Sequence, residues 1–304
     1  MILASTTIFL WIFQLILAQT VSQQTYDLLK FHARLSDIAY CVQPVNSPTQ
    51  LRQPFECGVK CTNIEGVELF HSFVHKPGNT GFTGYFAFDH VNKTKYIVFR
   101  GTNSFEDTLV DFSMSHELPC ETPFFLENLC PECKVQSSLL EVYGLFLEQH
   151  VTPLWDFVYT FYPDYSISVT GHSLGGVAAA FLATHLRVQG LEPVLVTFGQ
   201  PRYGNLAHAE FIEKIFLTSQ RRLYRVTHWN DVFVSLPSSE QFSHFSGEIY
   251  ISHPWVDPPL ETVRYCEGRE SETCHAGDYN PVERVTFLKN HLAYFIWVGY
   301  CPYR

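Results

Sequence analysis

Short apolar runs alternate along this chain with segments whose apolar positions recur at helical spacing. Lys95-Tyr96-Ile97-Val98-Phe99-Arg100, Pro193-Val194-Leu195-Val196-Thr197-Phe198 and Leu223-Tyr224-Arg225-Val226-Thr227 are each rich in β-branched or aromatic residues and each stop at a turn sequence, so they predict buried strands. Weaker alternation over 67–74 and 84–89 predicts two more, and Glu248-Ile249-Tyr250-Ile251 another. Ile167 and Val169 mark a strand that runs into Gly171. Between these runs, Tyr26, Leu29, Ala33 and Leu35 predict a helix over 25–39. Helical patterning also covers 136–162, with a break expected at Pro153, then the apolar stretch 177–183, then 207–216. Residues 291–300 are expected to close the chain as an aromatic-rich helix. Strands that alternate with helices predict an α/β protein, its central sheet mostly parallel and covered by helices on both faces. No repeat or low-complexity linker divides the pattern, so a single domain over 23–304 is expected.

The first residues stand apart. Ile8 to Leu17 form an apolar run that is too short for a bilayer span, which needs about 20 apolar residues. Followed by Ala18-Gln19-Thr20, the run fits a signal peptide over 1–22, cleaved between Ala18 and Gln23, although no cationic residue precedes it. Export is therefore expected, with no transmembrane segment in the mature chain. Nine cysteines agree with an oxidising compartment. Close spacing suggests Cys57 with Cys61, Cys130 with Cys133 and Cys266 with Cys274, and Cys41 with Cys301 would tie the two ends together; Cys120 is left over. Cys130-Pro131-Glu132-Cys133 is also a zinc-type spacing, but no second pair follows it, and no metal is expected. Asn92-Lys93-Thr94 is a glycosylation sequon. The net charge of −10 excludes a nucleic-acid partner and electrostatic docking on anionic membranes.

The chemistry centres on Gly171-His172-Ser173-Leu174-Gly175. A glycine-flanked serine between a strand and an apolar helix fits the nucleophile elbow, where a sharp turn holds the hydroxyl above the sheet edge. A serine hydroxyl needs a base, and the base needs an acid to orient it. In this type of sheet the acid and base usually follow the serine in the chain. Asp231 has the best address, directly after the 223–227 strand; Glu248 and Asp257 also lie near strand ends. His244, His253, His275 and His291 are the downstream histidines, with position favouring His291 and His244 as its main rival. Oxyanion donors would be the backbone N–H of Leu174 and Thr102, the latter in the loop after Arg100-Gly101. Residues 104–112 follow that loop, and Phe105, Leu109 and Phe112 give them one apolar face.

Five blocks in order carry a resemblance: Ile97-Val98-Phe99-Arg100-Gly101-Thr102, Val169-Thr170-Gly171-His172-Ser173-Leu174-Gly175-Gly176, Thr197-Phe198-Gly199-Gln200-Pro201-Arg202, Asn230-Asp231 with Leu236-Pro237, and His291-Leu292-Ala293-Tyr294-Phe295. Together the chain resembles the class 3 (fungal-type) triacylglycerol lipase family. The resemblance implies an α/β-hydrolase fold and hydrolysis of carboxylic esters without a cofactor. It implies Ser173, Asp231 and His291 as the triad, Thr102 and Leu174 as oxyanion donors, and His244 as a non-catalytic position. It implies a lid over the site, here Ser104, Phe105, Thr108, Leu109 and Phe112, with Thr108 where the best-known members carry tryptophan. A bridge between the termini and close cysteine pairs are family features as well. The expected partner is a lipid or other ester, possible at a lipid–water interface. A phospholipase, a soluble-ester (feruloyl-type) esterase and a catalytically dead binding protein are the competing readings.

Overall fold

The structure, a computed structural model, describes residues 19–42, 50–62, 64–74, 81–102, 120–216, 222–278 and 287–301. The apolar runs assemble into one eight-stranded sheet: β1 (Val67–Phe73), β2 (Thr83–Asp89), β3 (Thr94–Arg100), β4 (Ser166–His172), β5 (Val194–Phe198), β6 (Leu223–His228), β7 (Glu248–Ile251) and β8 (Val263–Tyr265). Spatial order follows chain order. Strands β1 to β3 pair antiparallel, β3 to β7 pair parallel, and β8 returns antiparallel at the far edge. The parallel middle requires crossovers, and the helices that supply them cover the sheet.

Side chains that alternate along the strands separate the two layers. On one face Ile97, Phe99, Val169, Leu195 and Leu223 pack with α2 (Ser137–Trp155), α3 (Leu174–Val188) and α4 (Leu206–Phe216). On the other, Val196, Phe198, Val226 and Ile249 pack with Tyr26, Leu29 and Ala33 of α1 (Gln23–Ile38). Tyr96 and Val98 on that same face meet Leu35 and Ile38 of α1. Helix α1 is started by Ser22, whose hydroxyl accepts from Thr25 N–H at 3.1 Å. Just before it, Val21 N–H donates to Val263 O and Tyr265 N–H to Gln19 O, so residues 19–22 are docked along β8.

One expectation holds with a shift and one is corrected. The interruption expected at Pro153 is a kink three residues earlier, where His150 leaves helical geometry at φ −124° and ψ 15°, and α2 then continues through Pro153 to Trp155. A proline inside a helix removes one backbone donor and crowds the preceding turn, and here the helix answers with a kink. Residues 291–300 are not a helix. Instead α5 (Phe287–Leu292) ends just after His291, and the short strands β9 (Ala293–Tyr294) and β10 (Ile296–Trp297) follow, joined by Phe295 at φ 59°. The aromatic and β-branched residues of this segment are the types that favour strands.

The sulfur atoms of Cys41 and Cys301, Cys57 and Cys61, Cys130 and Cys133, and Cys266 and Cys274 are bonded, and Cys120 is an exposed thiol. Asn92 is exposed in the turn between β2 and β3, its side-chain amide donating to Asp89 Oδ2 at 2.8 Å. Among the described residues, no helix is long and apolar enough to cross a membrane.

Candidate active site

The parallel strands point their carboxyl ends to one edge, and the residues singled out in the sequence gather there. Strand β4 runs through Gly171 to His172, Ser173 sits at φ 59° and ψ −129°, and α3 starts at Leu174. An L-residue with positive φ is strained, and it is held by its surroundings. Ser173 N–H donates to Phe198 O at 2.8 Å, and Gly176 N–H to Ser173 O at 2.8 Å. Both flanking glycines are required sterically. A Cβ on residue 171 would lie 2.1 Å from Gly175 O, and one on residue 175 would lie 2.5 Å from Phe99 O. Ser173 is buried, and its hydroxyl makes no hydrogen bond among the described residues.

The candidate acid and base come from the exit of β6 and from the short helix Phe287–Leu292. Asp231 follows β6 and accepts from Phe233 N–H at 3.0 Å, which fixes one carboxylate oxygen. His291 Nδ1 lies 2.9 and 3.0 Å from the two oxygens of Asp231, and Tyr294 O–H donates to Oδ2 at 2.5 Å. A carboxylate facing Nδ1 requires the proton there and leaves Nε2 as the basic edge. Burial alone would raise the Asp231 pKa, but the His291 charge and the hydrogen bonds from His291 and Tyr294 outweigh it and hold the carboxyl below its ordinary range. The Phe233 ring stacks on the imidazole, centroids 3.9 Å apart with planes at 23°. Gly199, at φ 57° after β5, closes another side: a Cβ there would be 2.9 Å from His291 Cε1 and 3.0 Å from Asp231 Oδ2.

The rival residues are occupied elsewhere. The His244 ring faces Val234 O at 2.8 Å, and His275 faces the backbone carbonyl of Asp231 at 2.9 Å. Glu248 accepts from Thr227 Oγ1 at 2.7 Å and pairs with Arg225, while Asp257 is an exposed partner of Lys30. Gly101 and Thr102 leave β3 beside β4, where Phe99 pairs with Gly171. A Cβ on residue 101 would sit 2.8 Å from Ser173 Cβ, which places this loop against the serine. Ser104, Phe105, Thr108, Leu109 and Phe112 lie outside the described residues.

With this geometry in place, the chain can be set beside known proteins. A family model described as lipase (class 3) matches residues 96–241. A secreted mono- and diacylglycerol lipase of Gibberella zeae is 31% identical over 289 residues, covering 84% of this chain and 70% of that protein. The chain belongs to the class 3 lipases. The LIP2 lipase of Yarrowia lipolytica superposes with a TM-score of 0.86 at 35% identity, covering 94% of this chain and 99% of the other. A mono- and diacylglycerol lipase of Aspergillus oryzae superposes at 0.77 with 26% identity, covering 93% and 100%. The fold is that of the α/β-hydrolases, and this class 3 lipase is a carboxylic-ester hydrolase.

Several residues at this lipase site have no marker in a strand-and-motif reading. Tyr294 and Gly199 lie inside blocks that were recognised, but their contacts with Asp231 and His291 depend on the β9–β10 hairpin and the exit of β5. Phe233 follows Asp231 by two residues, and its packing on the base has no sequence signal beyond that proximity. Tyr40, whose hydroxyl lies 2.8 Å from His172 Nδ1, is 132 positions from its partner.

Proposed function

We propose that this chain is a secreted lipase that hydrolyses triacylglycerols and related acylglycerol esters through an acyl-enzyme on Ser173. The observation that carries the reading is the buried Asp231–His291 pair at 2.9 Å, with Asp231 after β6 and His291 on the short helix Phe287–Leu292, near the Ser173 elbow. His291 Nε2 takes the hydroxyl proton as Ser173 Oγ attacks the ester carbonyl. The N–H groups of Thr102 and Leu174 hold the oxyanion, each such donor contributing about 3 kcal/mol of transition-state stabilisation. The alcohol departs with the proton from His291. Water then attacks the acyl-enzyme by the same route and releases the fatty acid. Asp231 keeps the imidazole tautomer and stays ionised. The relatives' names support acylglycerol substrates and an extracellular setting, and the four disulfides fit that setting. The docking of residues 19–22 on β8 favours leader cleavage at the start of the 18–23 window, after Ala18, and Asn92 is an exposed candidate for a glycan.

Labelling with a fluorophosphonate probe tests the nucleophile. The wild type should label and Ser173→Ala should not; equal labelling of both would refute the assignment. Rates on emulsified triolein against a soluble p-nitrophenyl ester test the substrate class. Turnover confined to the soluble ester would refute an acylglycerol lipase.

A further inference from the structure

We infer that Tyr40 and His172 are positioning residues that lock the oxyanion loop and the segment bearing the base to the two sides of the nucleophile elbow. The inference rests on the Ser173 reading above and adds residues outside the triad to it.

Four groups form a continuous chain of hydrogen bonds. His172 Nε2 lies 2.7 Å from the backbone carbonyl of His291. A carbonyl only accepts, so Nε2 carries the proton and donates. Nδ1 of the same neutral ring is then an acceptor, and the Tyr40 hydroxyl donates to it at 2.8 Å. The Tyr40 oxygen in turn accepts from Gly101 N–H at 3.1 Å. The direction of every bond follows from that one carbonyl. Burial keeps the His172 ring neutral, with a pKa pushed down to about 3, as this pattern requires.

The chain joins the oxyanion loop, the elbow and the segment that bears the base. Gly101 precedes Thr102, so its N–H bond to Tyr40 sets the direction in which the loop leaves β3. His172 precedes Ser173, and its bond to the carbonyl of His291 fixes the backbone from which the base projects. Packing reinforces the bonds: a Cβ on residue 101 would meet Tyr40 Oη at 2.6 Å, Ser173 Cβ at 2.8 Å and His172 O at 2.9 Å. Tyr40 is itself anchored, since its neighbour Cys41 is bonded to Cys301. Two further bonds tighten the same corner: Asp37 at the end of α1 accepts from Gly299 N–H at 3.1 Å and pairs with Lys60 at 2.5 Å. The Cys41–Cys301 bridge therefore helps hold the Tyr40 hydroxyl against His172 and Gly101 as well as closing the fold.

Positioning groups act on the transition state more than on substrate binding, so their loss should appear in kcat and leave KM little changed. The variants are Tyr40→Phe, which removes only the hydroxyl, and His172→Gln against His172→Leu. Glutamine can return a donor to the His291 carbonyl, whereas leucine cannot. All are assayed as the full secreted chain on p-nitrophenyl butyrate below its solubility limit. Active sites are counted by fluorophosphonate labelling, folding is followed by thermal melting, and affinity is measured for an alkyl boronic acid that forms a tetrahedral adduct on serine. Tyr40→Phe should remain folded at the assay temperature, lose about 10- to 100-fold in kcat with KM within about threefold, and bind the boronate correspondingly less tightly. His172→Gln should recover at least about tenfold of what His172→Leu loses. A folded Tyr40→Phe with kcat within about threefold of wild type overturns the inference, as does a His172→Gln no better than His172→Leu. Should Tyr40→Phe fail to fold, the His172 pair decides. Failure of wild-type Ser173 to label is a separate outcome and overturns the function itself.

Discussion

Gly199→Ala probes how tightly the base is confined. Two costs arise at this position. The first is conformational: Gly199 has φ 57°, where an alanine costs about 1–2 kcal/mol. The second is steric. The new methyl would lie 2.9 Å from His291 Cε1, 3.0 Å from His291 Nδ1 and 3.0 Å from Asp231 Oδ2, against an ordinary separation of about 3.5–4.0 Å. The imidazole would have to retreat by roughly 0.5–1 Å, while stacked on Phe233 and bonded along its edge to Asp231. A misplacement of about 1 Å can cost on the order of 100-fold in rate, so kcat/KM should fall by about 10- to 100-fold, or about 1.4–2.7 kcal/mol. Gly190→Ala separates the two costs. Gly190 has φ 87°, and a Cβ there would meet nothing within 4 Å. That variant should lose stability comparable to the conformational cost while keeping its rate. The assay is hydrolysis of a soluble p-nitrophenyl ester, normalised to fluorophosphonate-titrated sites, with melting curves alongside. Gly199→Ala within about twofold of wild-type kcat/KM would refute the argument, and so would a Gly190→Ala that loses as much activity.

Two other outcomes follow from the same contacts. Tyr294→Phe removes one donor to the Asp231 carboxylate; hydrogen bonds to charged groups contribute about 1.5–3 kcal/mol, so kcat/KM should drop about tenfold or more, and an unchanged rate would show that Phe233 N–H and His291 suffice. Stability should fall in mild acid. Burial lowers the pKa of His32 to about 4 and of His172 and His208 to about 3, so between these values and the ordinary 6.5 the unfolded chain binds more protons than the folded one. Folding free energy is therefore unaffected above pH 6.5, declines as the pH falls through it, and levels off below the folded-state values; each histidine costs about 2 kcal/mol at pH 5. Chemical denaturation at pH 7 and pH 5 checks this, and His208→Gln should lose about 2 kcal/mol less between the two than wild type.

The strands and the candidate acid were legible because their signals are local. The run Leu223 to Thr227 ends in a turn that delivers Asp231 to the sheet edge, and the glycines around Ser173 encode a backbone angle that the serine itself adopts. The choice among four histidines was not legible from spacing, since a candidate base is defined by what it touches: His291 faces Asp231, whereas His244 faces Val234 O. The final segment misled for a related reason. Its aromatic residues fit a helical stripe and a hairpin equally well, and the hairpin is selected by Tyr294 reaching Asp231 and by Tyr26 packing edge-on to Phe295 at 5.0 Å. Such partners lie far apart in the chain, as do Tyr40 and Gly101, 61 positions apart.

One constraint explains why glycine recurs at the exits of this sheet. Gly101 follows β3, Gly171 and Gly175 flank the turn after β4, and Gly199 follows β5. A methyl on each would strike the next station: Ser173 from 101, the start of α3 from 171, the carbonyl of Phe99 from 175, and the Asp231–His291 pair from 199. Adjacent strands lie about 4.8 Å apart, so nucleophile, oxyanion loop and base can converge only if the backbones leaving neighbouring strands pass within a methyl radius of one another. The spacing of the sheet and the reach of an acyl-transfer reaction thus conflict, and removing Cβ atoms is how this chain reconciles them. On that account the glycines are not interchangeable. Those at 171 and 175 permit the elbow to form, whereas those at 101 and 199 set how closely the elbow's partners approach.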